Sequence, residues 1–285
     1  MSHFNTIGHA SELDAPQLSM ADYHASQAIG ASTAKLALKS MQLFDDARRG
    51  IYVQPDRPYF QIGTLAHMMV LEPEKFAKLV TCDGPTNEST GKMYGRDTIK
   101  FQRWLDDRPG VTVVEPWLFT MLERMPIEVI RALKGTVREH SFFTTLRGLQ
   151  VKCRPDALKP GLILDLKTCV DVDRIERDIV KQGYWFTAAW YRAVMQSATG
   201  VSHDHEFIFV EKAAPYRWRI VTLDTPYIMR GDDVVEDVLG RIYHASMTGN
   251  YADKASIRIE ASMPEWMNPR DEESDDEEGD DDGAY

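Results

Sequence analysis

A strand–turn–strand segment in the middle of the chain places the strongest constraint on the fold. Residues 149–155 alternate apolar and polar side chains, and residues 161–167 (GLILDLK) are mostly apolar, as in a buried strand. The segment Lys159–Gly161 provides turn residues near the junction. Helical patterns lie before and after this segment, so we predict an α/β fold with a mixed central β-sheet flanked by helices.

Apolar periodicity predicts the other elements. The expected helices extend from Ser32 to about Gly50, from Gly63 to Leu79 with a kink or break at Pro73, from Arg96 to Asp107, from Met125 to Leu133, from Val172 to Ser197 and from Asp232 to Thr248. The other expected strands are residues 137–146, paired with 149–155 around a turn at Arg147 and Gly148, then 206–210 and 217–223.

The distribution of charge separates a near-neutral body from an acidic tail. The segment Asp271–Asp282 contributes −10 to the net charge of −11, which leaves −1 for the rest of the chain. Such a body can still carry a local basic surface for nucleic acid. We predict a flexible leader at residues 1–22, one domain at residues 23–268 with an N-terminal helical part, and a disordered acidic tail at residues 269–285.

Cysteine usage and hydropathy limit the class of protein. The three cysteines, Cys82, Cys153 and Cys169, stand far apart, which argues against a disulfide framework and against a zinc or iron–sulfur site. The sequence contains no apolar run of about 18 residues and no secretory signal pattern at its start. We therefore expect a reduced, cytoplasmic protein.

Two aspartates and a lysine follow a pattern suited to phosphodiester hydrolysis. Asp156 precedes a predicted turn, and Asp165 and Lys167 lie on the next strand, where alternation directs them to one face and Leu166 to the other. Carboxylate oxygens suit Mg²⁺, and a lysine can orient the attacking water or neutralise a phosphate. An isolated Asp-x-Lys pair usually lies on a solvated strand face, so Asp156 makes the pattern more specific.

Two short segments resemble a known nuclease superfamily. Arg154–Ala157 (RPDA) and Ile163–Thr168 (ILDLKT) are similar to motifs II and III of PD-(D/E)xK nucleases. The sequence looks most like the phage and prophage exonuclease VIII group, the recombination nucleases of the RecE type. Further segments that resemble this group are Gly63–His67, Leu71–Pro73, Lys152–Asp156, Tyr184–Tyr191 and Pro264–Trp266. The resemblance covers roughly residues 20–268, which would form a single nuclease domain.

The resemblance also implies an active site. Asp156 and Asp165 would ligate the metals, with the carbonyl of Leu166 as a further ligand. His67 would complete a second metal position, and Lys167 would be the catalytic lysine. The implied cofactor is Mg²⁺, with Mn²⁺ as the alternative, at two ions per site.

Three more residues are candidates to support this site: Glu139, Thr187 and Tyr191. The family carries a glutamine four residues before the tyrosine of the helix that follows the motifs. Here Tyr191 is that tyrosine, and Thr187 occupies the glutamine position. This departure concerns how the helix contacts DNA or Lys167, and it removes no metal ligand.

Basic side chains are candidates for contacts with DNA phosphates. One group recurs at three- and four-residue spacing near a predicted helix: Lys92, Arg96, Lys100 and Arg103. A second group flanks the predicted hairpin: Arg147, Lys152 and Arg154. No helix-turn-helix or zinc-finger pattern is present, so we expect recognition of the DNA backbone and ends instead of sequence.

The resemblance implies a metal-dependent exodeoxyribonuclease that resects linear double-stranded DNA from 5′ to 3′. Its single-stranded product would serve phage homologous recombination by strand annealing, in the cytoplasm of the bacterial host cell. The implied partners are double-stranded DNA ends, copies of the same chain in a ring-shaped tetramer, and a single-strand annealing protein of the RecT type. Two alternatives stay open: a structure-specific or restriction-like endonuclease, and a catalytically inactive DNA-binding or scaffold protein.

Overall fold

A mixed five-stranded sheet forms the centre of the protein. In the computed structural model, the described residues are 18–53, 58–124, 126–253 and 262–263, and for residues 58–61 only the backbone is described. The strands are β1 (Val80–Thr81), β2 (Thr112–Val113), β3 (Val137–Arg138), β4 (Phe142–Leu146), β5 (Leu149–Cys153), β6 (Ala157–Lys159), β7 (Leu162–Cys169), β8 (Asp204–Glu211) and β9 (Trp218–Thr222).

The main sheet has the order β3-β6-β7-β8-β9. Only β7 and β8 run parallel, since the helices between them carry the chain back across the sheet, and the other pairs are antiparallel. β4 and β5 form a separate antiparallel hairpin, and β1 pairs with β2 in parallel. The predicted pairing of residues 149–155 with 161–167 is therefore wrong, because the short strand β6 takes the place next to β7. The predicted mixed α/β architecture is confirmed.

Helices cover both faces of this sheet. They are α1 (Met20–Ala25), α2 (Ala31–Ala34), α3 (Met41–Arg48), α4 (Pro58–Leu71), α5 (Pro73–Leu79), α6 (Ile99–Asp106), α7 (Pro116–Glu123), α8 (Ile127–Ala132), α9 (Ile175–Gln182), α10 (Tyr184–Thr199) and α11 (Thr225–Thr248). Lys35–Leu38 and Val172–Arg174 form 3-10 turns. No helix among these residues combines the length and apolar character needed to cross a membrane.

Two of the helices predicted as continuous are divided. The helix expected from Ser32 to Gly50 is wrong, because Ser40 has an extended backbone and its hydroxyl caps α3 by accepting from the Leu43 N–H at 2.9 Å. The helix expected from Val172 to Ser197 is also wrong, because Gly183 takes a left-handed conformation (φ 64°) between α9 and α10. The break expected near Pro73 is confirmed, between α4 and α5.

The continuous strand expected at 137–146 is wrong in one place. Glu139 has a positive φ of 51°, uncommon for a residue with a side chain, and it separates β3 from β4. As a result β3 joins the main sheet, whereas β4 pairs with β5. The predicted turn between β4 and β5 is confirmed, with positive φ at both Arg147 and Gly148, as a tight hairpin requires.

The ends of the chain differ in part from expectation. Helix α1 begins at Met20, inside the predicted leader, and residues 1–17 lie outside the described residues. The acidic tail at 269–285 and the Pro264–Trp266 segment also lie outside them. α6 begins at Ile99, after a cap by Thr98, which is later than the Arg96 start that we predicted.

Strand β7 divides the apolar core. Leu164 and Leu166 pack with α4, α7 and α8 on one face of the sheet. Ile163, on the opposite face, belongs to the cluster formed with α10, α11 and the β4–β5 hairpin. Because side chains alternate along a strand, Asp165 and Lys167 lie on the α10 side. The buried leucines on either side of Asp165 therefore fix the position of the polar residues of β7 in the sheet.

Candidate active site

The β6–β7 hairpin brings the two predicted aspartates and the lysine together. Asp156 directly precedes β6, and its Oδ2 accepts a hydrogen bond from the Leu166 N–H at 2.6 Å. Lys167 Nζ lies 2.6 Å from Asp165 Oδ1 and 3.3 Å from the carbonyl oxygen of Leu166. The Asp156 carboxylate thus bonds to the backbone of β7 just beyond the paired residues of β6. This hydrogen bond holds the carboxylate beside Asp165.

Helix α4 and the β3–β4 corner add two more side chains to this cluster. His67 Nδ1 lies 3.5 Å from Asp156 Oδ1. Ligand atoms of His67, Glu139 and Asp156 all lie within 4.8 Å of one another. Glu139 is joined to the hairpin by its N–H, which donates to the Asp156 carbonyl at 3.2 Å, and its carboxylate accepts from Arg154 Nε at 2.9 Å. The strained backbone at Glu139 therefore directs a carboxylate into the site.

The charged groups of the cluster shift one another's pKa values. Burial opposes ionisation of Asp156, but His67 and Lys167 outweigh it and hold its pKa well below the usual range. Burial raises the pKa of Asp165, and the charge of Asp156 adds to this effect. Although burial opposes it, the neighbouring carboxylates of Asp165 and Asp156 raise the pKa of Lys167 to about 12. Lys167 is therefore a cation at neutral pH and suits charge stabilisation better than proton abstraction.

The same residues fit a divalent metal ion. Asp165 Oδ2 is buried and has no hydrogen-bond partner among the described residues, which is costly unless a cation accepts its charge. Carboxylate oxygens are the ligands that Mg²⁺ and Mn²⁺ prefer, and the imidazole of His67 would add one nitrogen ligand. His67, Glu139 and Asp156 would hold such an ion, and the predicted ligand role of Asp165, which is not among these three, stays a prediction. The predicted ligand role of the Leu166 carbonyl stays a prediction.

These residues open onto a groove. His67, Glu139, Asp156 and Lys167 line a cavity of about 1600 Å³. The cavity is also lined by basic side chains that we did not single out from the sequence: Arg48, Lys75, Lys181 and Lys212. They come from α3, α5, α9 and the loop after β8, so only the folded chain brings them to one surface.

The predicted basic stripe lies elsewhere. Lys92 and Arg96 precede α6, so only Lys100 and Arg103 belong to that helix, and the expectation of one helical stripe is wrong. None of the four is among the described residues that line the groove. Arg96 pairs with Glu115 at 2.9 Å. A role of these four residues in DNA binding stays a prediction, for a surface outside the groove.

The second basic group is engaged within the protein. Arg147 Nε donates to Glu236 at 2.6 Å, away from the groove. Lys152 and Arg154 line the groove, but their side chains bond to backbone carbonyls of the segment Leu18–Ser26. Contact of these three residues with DNA also stays a prediction.

Side chains of helix α10 contact Lys167 and the strand end next to Asp156. Tyr191 donates from its hydroxyl to the Arg154 carbonyl at 3.3 Å, which braces the strand end next to Asp156. Thr187 is buried and its hydroxyl donates to the Gly183 carbonyl at 3.4 Å, one turn back in the same helix. Sequence reasoning gave no role to Tyr184, whose ring lies under Lys167, with Nζ 5.6 Å from the ring centre. This cation–π contact has no signal in local spacing, because β7 and α10 meet only in the folded chain.

A buried histidine behind the site makes stability depend on pH. His205 on β8 is buried, and neither ring nitrogen has a hydrogen-bond partner in the described part of the chain. Burial, assisted by the positive charge of Lys167, lowers its pKa to about 3. The unfolded chain takes up this proton near pH 6.5, whereas the folded protein does not, so stability is lost as the pH falls below about 6.5.

We predict that the free energy of unfolding falls by about 1 kcal/mol more in the parent protein than in a His205→Leu variant between pH 7 and about pH 5.5. Urea unfolding at the two pH values measures the difference. His244→Leu, at an exposed position on α11, is the matched control and should follow the parent. Equal pH dependence in the His205→Leu variant and the parent would contradict the prediction.

The sequence matches one protein family, and solved structures are similar to it. The family model described as a PDDEXK-like domain of unknown function (DUF3799) matches residues 30–257. No curated protein matches the sequence. A proposed exonuclease from Eubacterium rectale is similar in structure, with a TM-score of 0.58 and 14% identity over 88% of this chain and 97% of that one. An alkaline exonuclease from Laribacter hongkongensis is 14% identical, with a TM-score of 0.28 over 54% of this chain and 84% of that one.

Proposed function

Because this chain belongs to the family of PDDEXK-like domains (DUF3799), we propose that it is a metal-dependent exodeoxyribonuclease that resects linear double-stranded DNA. The observation that carries the proposal is that His67, Asp156 and Lys167 line one wall of an open groove, with Asp165 bonded to Lys167 behind it. A nuclease of this superfamily needs these residue types together in one site. The segment 156–167 supplies three of them: Asp156, Asp165 and Lys167.

The residues of the site would have different roles in hydrolysis. His67, Asp156 and Asp165 would hold the divalent ion, for which Mg²⁺ is the proposed species and Mn²⁺ the alternative. When bound, the ion makes hydroxide available near neutral pH and offsets charge on the phosphate. Lys167 remains protonated and lines the groove, so it can donate to a phosphate oxygen or orient the attacking water. Tyr184 and Asp165 hold its ammonium group in place.

The finer parts of the proposal rest on the resemblance to RecE-type nucleases. They are cleavage from 5′ to 3′, production of single strands for phage recombination, a ring-shaped tetramer around DNA, and a single-strand annealing protein as partner. The short motifs Arg154–Ala157 and Ile163–Thr168 support this reading by their order and spacing. Polarity and subunit number are separate measurements once cleavage is established.

The first experiment compares linear and covalently closed duplex DNA, each with Mg²⁺ and with EDTA. We expect loss of the linear DNA alone, and only with Mg²⁺, because an exonuclease must begin at an end. Cutting of the closed circle would replace the proposal with a structure-specific or restriction-like endonuclease. If folded protein cleaves neither form, with Mg²⁺ or with Mn²⁺, a binding or scaffold role replaces it.

A further inference from the structure

A short N-terminal segment forms part of the wall of the active-site groove. Residues Leu18–Ser26, which include α1, line the same cavity as His67 and Asp156. None of the α1 residues is buried, so apolar packing contributes little to holding this helix. A six-residue helix is also too short to be stable alone. Its position must therefore depend on specific contacts with the body of the protein.

Two cations next to the metal-site hairpin make those contacts. Lys152 Nζ donates to the carbonyl oxygens of Tyr23 at 2.6 Å and Ser26 at 2.9 Å. Arg154 Nη1 donates to the Leu18 carbonyl at 2.9 Å. The Tyr23 ring lies beside both, with its centre 4.6 Å from Lys152 Nζ and 5.8 Å from the Arg154 guanidinium carbon. The segment is thus attached by charge-assisted hydrogen bonds and cation–π contacts.

Of these two cations, Lys152 depends more on α1 for its contacts. Arg154 is also bonded to Glu139 and Ser141, so it has reasons to be ordered without α1. Lys152 is buried on β5, and no carboxylate pairs with it among the described ion pairs. Its ammonium group is satisfied by the carbonyls of Tyr23 and Ser26. Loss of α1 from this position would break these two charge-assisted hydrogen bonds, which opposes opening of the segment.

The attachment point is also close to the chemistry. The Ile29 backbone pairs with β5, with its carbonyl accepting from the Lys152 N–H at 2.9 Å. The Lys152 carbonyl accepts from Trp190 Nε1 at 3.1 Å. The lysine therefore connects α1 to a strand that α10 fixes from the other side. Four residues further along the chain, Asp156 contributes to the metal site.

We infer that Lys152 is a positioning residue that fixes Leu18–Ser26 as a wall of the DNA groove, a role that rests on the proposed function. With the segment docked, the groove holds the DNA strand against the metal ligands. With the segment loose, the metal ligands are intact but the strand is poorly placed. The expected signature is a higher KM for DNA with a much smaller change in kcat, because no group that touches the reacting phosphate is altered.

The test uses the full-length Lys152→Met variant, which keeps the length of the side chain and removes its charge. We expect faster hydrogen exchange at the amides of residues 18–26 and a KM for linear duplex DNA raised about tenfold. Lys159→Met, on β6, the next strand along the chain, is the matched control and should behave like the parent. Lys152→Arg, which keeps a donor, should restore part of the protection.

A second variant, Tyr23→Ala, keeps the proposal testable if the core substitution prevents folding. It removes the ring beside both cations without touching the core, and it should loosen the same amides and raise KM. Unchanged exchange at residues 18–26 in folded Lys152→Met protein, or in Tyr23→Ala where that variant alone folds, would overturn the inference, as would faster exchange without a change in KM. Hydrogen exchange does not require cleavage. A parent protein that cleaves no DNA would therefore contradict the proposed function while the attachment of the segment was still measured.

Discussion

Replacing Asp165 by asparagine should lower the rate of DNA cleavage by about 10³-fold. The substitution keeps the size of the side chain but removes the negative charge that a metal ion needs. Asp165 is 2% exposed, and one of its oxygens bonds to Lys167 while the other has no partner in the described part of the structure. Asparagine would also turn its amide group toward either the ion or the lysine, and neither arrangement suits both.

Single-turnover cleavage of an end-labelled linear duplex in Mg²⁺ measures this effect, and calorimetric titration with Mn²⁺ reports the loss of metal affinity independently. Asp204→Asn is the matched control, because Asp204 is an exposed residue at the start of β8 in the same sheet. The control should cleave at the parental rate. Parental cleavage by a folded Asp165→Asn protein would remove Asp165 from the metal site and direct attention to Glu139.

Replacing Trp190 by alanine should lower the free energy of unfolding by about 3–5 kcal/mol. Trp190 lies in the middle of α10 with no exposed surface, so truncation leaves a large cavity between α10 and the sheet. The indole also donates to the Lys152 carbonyl at 3.1 Å, and its loss leaves that carbonyl unsatisfied in the core. The cavity and the unsatisfied carbonyl both lower the free energy of unfolding.

Urea unfolding followed by circular dichroism measures this change. Trp117→Ala is the matched control, because Trp117 on α7 is 60% exposed and its truncation should change stability by less than about 0.5 kcal/mol. Similar losses in the two variants would mean that α10 is not the packed centre of the domain. The Trp190→Ala variant should also show faster hydrogen exchange in β5, because the indole holds that strand.

Local pattern was enough to predict strand β7, which carries Asp165 and Lys167. The common face of Asp165 and Lys167 follows from strand alternation. The predicted pairing of residues 149–155 with 161–167 is wrong, because β5 pairs with β4 and the short strand β6 pairs with β7. Breaks in longer elements were harder to predict. Ser40, Glu139 and Gly183 interrupt predicted helices or strands, because capping and tertiary pairing decided their backbone conformation where apolar periodicity continued.

By itself the sequence determined the α/β class, strand β7 and the common face of Asp165 and Lys167 on it, because these depend on neighbours within about a dozen residues. Only the tertiary structure decided that Glu139 joins His67 and Asp156, that Tyr184 lies under Lys167, and that Lys152 holds the N-terminal segment. Each of these contacts joins residues far apart in the chain. They form because of how the sheet and helices pack, and the periodicity of side chains along the sequence does not predict that packing.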